Sequence, residues 1–187
     1  MGICSLNYQR AIFLDRDGVL NALVEHNGEL CPPASLRELQ ILPGTKDALL
    51  KLRGMRFALI VVTNQPGVAR GTLKKSTVEA IHRELLETLP IQGIYACYHD
   101  DADKCHCRKP KPGLLLDAAR ECQISLMDSY MVGDRWRDVE AGQGAGCRTV
   151  WVDLGEEKRP SPPPDITVHS LPEAVFCVSQ EWKEWLR

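Results

Sequence analysis

Short apolar runs alternate along the chain with longer segments in which apolar residues recur every three or four positions. The short runs predict buried strands, because they are too short for helices; they cover residues 11–14, 57–63, 93–97, 129–133, 148–153 and 166–168. The longer segments predict helices over residues 44–53, 73–89, 113–122, 135–145 and 171–186. This alternation indicates an α/β fold in a single domain over residues 1–187, with a parallel sheet and helices on both faces. Residues 22–43 read as irregular, with turn signals at Asn27-Gly28 and Pro32-Pro33.

Clusters of polar side chains follow four of the predicted strands. Asp15 and Asp17 come directly after the first strand, and residues 63–65 end the second. A loop over residues 97–109 follows the third strand, and residues 133–138 follow the fourth. The carboxyl ends of parallel strands share one edge of a sheet, which is where open α/β sheets bind ligands. We therefore expect the four clusters to form one site.

The two acids of D-R-D-G are Asp15 and Asp17, two positions apart, so on extended chain their side chains point the same way. Two such carboxylates are tolerated with a cation between them or with a proton on one, and both conditions suit phosphoryl transfer. The alternative is an ordinary acidic turn. Asp134 offers a third oxygen ligand of the kind Mg²⁺ prefers. Asp138 lies one helical turn later, where it either supports the site or complements the helix N-terminus.

Hydrogen-bonding and cationic groups complete the predicted site. Thr63, Asn64 and Gln65 end an apolar strand, where a hydroxyl can donate to a phosphoryl oxygen and where turn capping is the ordinary alternative. Lys109 supplies a mobile point charge for phosphate, and the neighbouring Arg108 supplies a planar fork. A solvated basic turn is the alternative for this pair. Taken together with the acids, these residues favour phosphate chemistry.

Cysteine and histidine recur with metal-ligand spacing after the third strand. Cys97 and His99 stand two positions apart, as do Cys105 and Cys107. Three thiolates and one imidazole suit a closed, structural Zn²⁺ site. His106 is a less favoured ligand, since it should point away from its two cysteine neighbours. The other cysteines are treated as small apolar side chains in a reducing compartment; they are Cys4, Cys31, Cys122, Cys147 and Cys177.

Composition excludes several classes of protein. The formal net charge is -2 over 187 residues, so no overall basic field favours nucleic acid. No apolar run reaches 18 residues, and the N-terminus M-G-I-C-S-L lacks the apolar core of a signal peptide. We expect a cytoplasmic monomer that acts on a small molecule and binds neither nucleic acid nor membrane.

With these motifs in order, the chain from about Ala11 to Asp153 resembles the haloacid dehalogenase (HAD) superfamily of aspartate-nucleophile phosphatases. Within it, T-N-Q-P-G-V-A-R-G, the C-x-H…C-x-C loop, C-R-K-P-K-P-G and G-D-R resemble the D-glycero-D-manno-heptose-1,7-bisphosphate 7-phosphatases. The zinc loop also resembles the histidinol-phosphatases, and T-N-Q-x-G…R-G resembles the polynucleotide 3′-phosphatases. Val19 departs from the threonine of many superfamily members. The insertions are too short for a cap domain, so we expect a capless, open site.

The resemblance implies a role for each site residue. Asp15 would be the nucleophile and Asp17 the general acid and base, with Thr63 and Lys109 stabilising the transferring phosphoryl group. Mg²⁺ would be held by Asp15, the backbone carbonyl of Asp17, and Asp134. The residues expected to contact the substrate are Asn64, Gln65, Arg108 and Arg135.

The order Arg108-Lys109 bears on the choice of substrate. Adjacent residues on extended chain point opposite ways, so Arg108 is left for a second anion if Lys109 serves the reacting phosphate. A sugar with two phosphates satisfies both cations, whereas histidinol phosphate carries a cationic amine. We therefore expect a heptose bisphosphate rather than histidinol phosphate. A non-catalytic zinc-stapled binding module is disfavoured, because all the chemical residues are intact.

Overall fold

A computed structural model describes residues 8–26, 28–155 and 159–185. Eight strands and five helices lie in this part of the chain. The strands are β1 (Ala11–Leu14), β2 (Val24–His26), β3 (Glu29–Cys31), β4 (Ala58–Asn64), β5 (Gly93–Cys97), β6 (Tyr130–Gly133), β7 (Arg148–Val152) and β8 (Ile166–Val168). The helices are α1 (Thr45–Gly54), α2 (Lys75–Thr88), α3 (Gly113–Cys122), α4 (Trp136–Ala145) and α5 (Leu171–Trp185).

Six of the strands form one sheet in the order β5-β4-β1-β6-β7-β8. Every neighbouring pair in it is parallel, as the strand and helix alternation predicts. β1 lies between β4 and β6, and β5 is the edge strand beyond β4. The four strands followed by polar clusters are therefore consecutive in the sheet. Their carboxyl ends meet at one edge, as predicted, and the polar clusters that follow them are brought together there.

The sheet is buried on both faces because successive side chains of each strand point to opposite sides. Ile12 and Leu14 of β1 belong to the core formed with α1, α2 and α5. Ala11 and Phe13 belong to the second core, formed with α3 and α4. All four side chains are fully buried. This two-sided packing explains why β1 reads as an unbroken apolar run.

The expectation that residues 22–43 are irregular is wrong for two short stretches. β2 and β3 pair antiparallel, with Val24 opposite Cys31, and form a small hairpin beside the main sheet. Each strand has three residues and is largely exposed, so neither carries the apolar alternation that predicts a strand. Asn27, expected in the turn, lies outside the described residues.

The described residues contain no helical cap after β1 or β5. The hairpin follows β1, and the cysteine-containing loop after β5 adds a single 3₁₀ turn at Asp101–Asp103. The site at the sheet edge is consequently open, as the short insertions predict.

The cysteines outside the predicted zinc loop differ from one another. Cys147 is a buried thiol, and Cys31 and Cys177 are half-buried thiols. Cys122 is disulfide-bonded, so treating it as a simple apolar side chain in a fully reduced protein is wrong. Cys4 lies outside the described residues. Within the described ranges, no helix has the length and apolar character needed to span a membrane.

Candidate active site

A cleft of about 510 Å³ opens at the carboxyl edge of the sheet. Its floor carries Asp15, Asp17 and Lys109, and its rim carries arginines and one side of the β2–β3 hairpin. A smaller cleft of about 260 Å³ lies at the opposite end, lined by Arg10 and Trp182. None of the predicted catalytic or metal-binding residues lines this second cleft. The cleft at the carboxyl edge, which Asp15, Asp17 and Lys109 line, is therefore the candidate active site.

Lys109 is the buried cation at the floor of the cleft. Its Nζ donates to Asp15 Oδ1 at 2.8 Å and to the carbonyl of Val62 at 2.7 Å, and it lies 2.5 Å from Asp138 Oδ1. Burial lowers the pKa of Lys109, but the carboxylates of Asp138 and Asp15 more than offset burial and raise the pKa above its usual range. The amine therefore stays charged and fixed between the two acids.

Three carboxylates surround this single lysine. One oxygen each from Asp15, Asp134 and Asp138 lies within 4.8 Å of the others. Burial, opposed by Lys109 and reinforced by Asp138 and Asp17, raises the pKa of Asp15 to about 6. Burial, with Asp15 and Asp138, raises the pKa of Asp134 well above its ordinary value. The floor of the cleft therefore carries more negative charge than Lys109 compensates.

Asp134 is the strongest sign that a cation belongs in this cluster. Both of its carboxylate oxygens are buried and have no hydrogen-bond partner among the described residues. The nearest cation, Arg135 Nε, lies 4.0 Å from Oδ2. Buried carboxylate oxygens without hydrogen bonds, beside two further carboxylates, provide the hard oxygen donors that Mg²⁺ takes. Gly18 leaves room for Asp134, since a Cβ there would clash with Asp134 Oδ2. The residues present fit a divalent cation.

Asp17 is held apart from this cluster by four hydrogen bonds or ion pairs. Arg16 contacts both oxygens, through Nε to Oδ1 at 3.0 Å and through Nη2 to Oδ2 at 2.9 Å. Asn21 donates to Oδ1 at 3.0 Å, and Gln65 donates to Oδ2 at 2.8 Å. Sequence reasoning missed Arg16 and Asn21. Alternation along the D-R-D segment turns the middle side chain away from the two acids, so this pattern gave no signal for the contact between Arg16 and Asp17.

Thr63, Asn64 and Gln65 form hydrogen bonds with other groups of the protein. Thr63 Oγ1 accepts from Gln65 Nε2 at 2.9 Å, which leaves the hydroxyl proton available to another acceptor. Asn64 clamps the backbone of Lys109, donating to its carbonyl at 3.0 Å and accepting from its N–H at 3.1 Å. Asn64 and Gln65 thus position Lys109 and Asp17, and their contact with substrate stays a prediction.

Arginines form the rim of the cleft and face two acids of the cysteine-containing loop. Arg108 Nε donates to Asp101 Oδ1 at 2.7 Å, and Arg137 Nη1 reaches the same oxygen at 3.3 Å. Arg70 makes two hydrogen bonds to Asp100, at 2.8 and 2.7 Å. Arg108 was expected to be left for a second anion, and it is paired with protein here. Three guanidinium groups therefore face these two carboxylates, and Arg135 also lines the cleft, with its Nε 4.0 Å from Asp134 Oδ2.

The predicted zinc ligands converge at the end of β5. Cys107 Sγ lies 3.3 Å from Cys97 Sγ and 3.5 Å from Cys105 Sγ, while His99 Nδ1 lies 3.5 Å from both Cys97 and Cys107. A tetrahedral Zn²⁺ with Zn–S bonds of about 2.3 Å places its sulfur ligands about 3.8 Å apart. The four side chains fit such an ion. His106 instead pairs with Asp117 at 3.1 Å, outside the cluster.

Comparison with known proteins gives consistent matches. A HAD-hydrolase-like family model matches residues 106–174. The D-glycero-beta-D-manno-heptose-1,7-bisphosphate 7-phosphatase of Pasteurella multocida is 38% identical over 160 residues, covering 79% of this chain and 84% of that protein. The enzyme of the same name from Escherichia coli K12 is 34% identical over 188 residues, covering 92% of this chain and 95% of that protein.

A solved structure agrees with these relatives. The D,D-heptose 1,7-bisphosphate phosphatase of B. bronchiseptica, complexed with magnesium and phosphate, matches with a TM-score of 0.76 and 31% identity. The match covers 92% of this chain and 99% of that chain. This chain belongs to the HAD-like phosphatases, phosphoric monoester hydrolases, and within them to the family of the heptose-1,7-bisphosphate 7-phosphatases.

Proposed function

We propose that this phosphatase acts on D-glycero-D-manno-heptose 1,7-bisphosphate and converts it to the 1-phosphate through an aspartyl-phosphate on Asp15. One observation carries the proposal. The cleft separates a reacting floor, where Asp15 and Lys109 meet, from an outer rim where Arg108 and three further arginines gather. Two anionic groups at opposite ends of one sugar suit this division. The names of the relatives support the same substrate.

The first step is attack by a carboxylate oxygen of Asp15 on phosphorus. The new P–O bond forms as the bond to the sugar oxygen breaks, and the electron pair of that bond leaves with the sugar. Lys109 and the Thr63 hydroxyl face charge that develops on the phosphoryl oxygens. Asp17 delivers a proton to the leaving oxygen. All four contacts to Asp17 come from donor groups, so a protonated Asp17 must give up one of them.

The second step returns the enzyme to its starting state. A water molecule attacks phosphorus, Asp17 takes its proton, and the bond to Asp15 breaks with release of inorganic phosphate. The hydrogen bonds from Arg16, Asn21 and Gln65 hold the Asp17 carboxylate in a fixed orientation for this step.

Mg²⁺ would be held by Asp15, Asp134 and the backbone carbonyl of Asp17. When bound, it neutralises charge between the Asp15 carboxylate and the phosphoryl group. The two buried oxygens of Asp134, which have no hydrogen bond among the described residues, support this assignment. Asp138 is occupied by Lys109 and by the N–H of Arg135 at 3.0 Å, so it is better suited to orient Lys109.

The substrate is tested by comparing kcat/KM for the heptose bisphosphate and histidinol phosphate. We expect the bisphosphate to be preferred, because the cationic amine of histidinol phosphate would face the arginine rim. Arg108→Ala should raise KM for the bisphosphate about 10- to 100-fold, the loss expected for hydrogen bonds to a charged group. It should change KM for para-nitrophenyl phosphate little, since that substrate lacks a second phosphate.

Arg53→Ala, an exposed arginine on α1, is the matched control and should leave both substrates unaffected. A wild-type preference for histidinol phosphate would overturn the substrate while leaving the phosphatase mechanism in place. Equal damage by Arg108→Ala to both substrates would overturn the role of Arg108 alone.

We also propose that Cys97, His99, Cys105 and Cys107 bind one structural Zn²⁺ per chain. The ion would stiffen the loop that carries the rim acids and the two cations after it, Arg108 and Lys109. Cys107→Ser should abolish zinc binding, lower the unfolding temperature and weaken phosphate binding together. Elemental analysis and thermal unfolding measure the first two, with Cys177→Ser as control. Protein purified without chelator and free of zinc would contradict the proposal.

The cytoplasmic location and the monomeric state stay predictions. Light scattering on the purified protein tests the monomer, and fractionation of the producing cells tests the location.

A further inference from the structure

Arg16 is a completely buried arginine between the two catalytic acids in the sequence. Two of its nitrogens, Nε and Nη2, face the two oxygens of Asp17. Its third nitrogen, Nη1, lies 3.0 Å from Nε2 of His82 on α2. A guanidinium is rigid and planar, so a contact at one end fixes the direction of the other end. His82 and Asp17 are therefore connected through a single flat group.

His82 suits this contact because it is neutral. Burial, and then the charge of Arg16, lower the pKa of His82 to about 4. At neutral pH its Nε2 can therefore accept a hydrogen bond from Arg16, with the ring proton on Nδ1. A carboxylate at this position would compete with Asp17 for Arg16, and a cation would repel it. A neutral acceptor holds Arg16 in place, and the positive charge of Arg16 still pairs with Asp17.

The other side of His82 is anchored in the protein core. Its neighbours Val78, Ile81 and Leu85 are fully buried, and Ile81 and Leu85 belong to the core that contains Ile12 and Leu14 of β1. The ring therefore has a rigid support that is independent of the loop carrying Asp17. His82 has no place in the two chemical steps described above, and Arg16 enters them only through its contact with Asp17.

We propose that His82 is a positioning residue that acts through Arg16 to fix the orientation of the Asp17 carboxylate. The inference rests on the proposed role of Asp17 as general acid. Misplacing Asp17 removes proton delivery to the leaving oxygen but leaves Asp15, Lys109 and Thr63 in place. The loss should therefore depend on how much the leaving group needs a proton.

The test compares kcat/KM for two substrates, because this ratio reports the step that forms the aspartyl-phosphate. The heptose bisphosphate has an alkoxide leaving group that needs a proton, and para-nitrophenyl phosphate has a phenolate that needs little. His82→Phe fills the space without an acceptor. It should lower kcat/KM about 10- to 100-fold for the sugar, within the range of general acid catalysis, and less than about threefold for the aryl phosphate.

Rescue by a conservative variant completes the test. His82→Gln keeps an acceptor at the end of a chain of similar length and should stay within about threefold of wild type on both substrates. Val78→Ala removes packing from the same helix face and should leave the ratio of the two kcat/KM values unchanged. If His82→Phe fails to fold, His82→Asn replaces it, because its shorter amide cannot reach Arg16.

The inference is overturned if the ratio of the two kcat/KM values in His82→Phe matches that of wild type. An equal loss of both kcat/KM values would mean that His82 acts only on stability. A wild-type enzyme that turns over neither phosphate would overturn the proposed function and this inference with it. An active wild type with an unchanged ratio would overturn the inference alone.

Discussion

Replacing Asp15 with asparagine will abolish turnover, with a loss in kcat on the order of 10⁴-fold or more. The carboxylate oxygen of Asp15 forms the covalent bond to phosphorus, and an amide at the same position is not a nucleophile. The side chain is buried beside Lys109, which aims one of its oxygens. Steady-state release of inorganic phosphate measures the effect.

The Asp15→Asn protein should remain folded. Lys109 keeps its contacts with Asp138 and the carbonyl of Val62, and the crowding of carboxylates at the cleft floor is reduced. Asp47→Asn, on the first turn of α1, is the control for a change of charge far from the cleft. Mg²⁺-dependent activity within tenfold of wild type would rule out the aspartyl-phosphate mechanism.

Replacing Lys109 with methionine will damage both activity and stability. The side chain is 2% exposed and lies against two carboxylates, so its loss leaves buried negative charge without a partner. Breaking a buried ion pair by removing one member costs about 3–5 kcal/mol of unfolding free energy. Activity should fall at least about 100-fold, because the transferring phosphoryl group loses its fixed cation.

Lys111→Met is the matched control for this variant. Lys111 lies two positions later and is exposed, and its Nζ contacts only the carbonyls of Lys104 and Cys105 among the hydrogen bonds of the described residues. Denaturant unfolding in the absence of Mg²⁺ should separate the two lysines clearly. If the unfolding free energy of Lys109→Met lies within about 1 kcal/mol of the wild-type value, which is roughly the precision of such curves, the charge balance described for the cleft floor is incorrect.

The sheet and the location of the site could be predicted from sequence because each depends on a strong local pattern. Strands buried on both faces, such as β1, read as apolar runs, and parallel topology then brings their ends to one edge. The hairpin β2–β3 could not be predicted, because its short and largely exposed strands carry no comparable pattern. Its position depends on tertiary contacts.

The hydrogen-bond partners of individual side chains were harder to predict than the location of the site. Asn64 and Gln65 carry the residue types expected of substrate contacts, but their partners are Lys109 and Asp17. Arg16 pairs with Asp17, its immediate neighbour, and with His82, which lies 66 positions later. Hydrogen-bond partners depend on side-chain directions and on distant residues, which periodicity does not report.

The position of β1 between β4 and β6 has a consequence for how activity is acquired during folding. The site takes Asp15 from the residue after β1, Thr63 from β4 and Asp134 from the residue after β6. The Asp15–Lys109 pair spans 94 positions of sequence. Such long-range contacts form late, because a large loop must close before they contribute stability. Refolding chains should therefore regain helical signal before they regain turnover, and catalytic competence should report completion of the centre of the sheet.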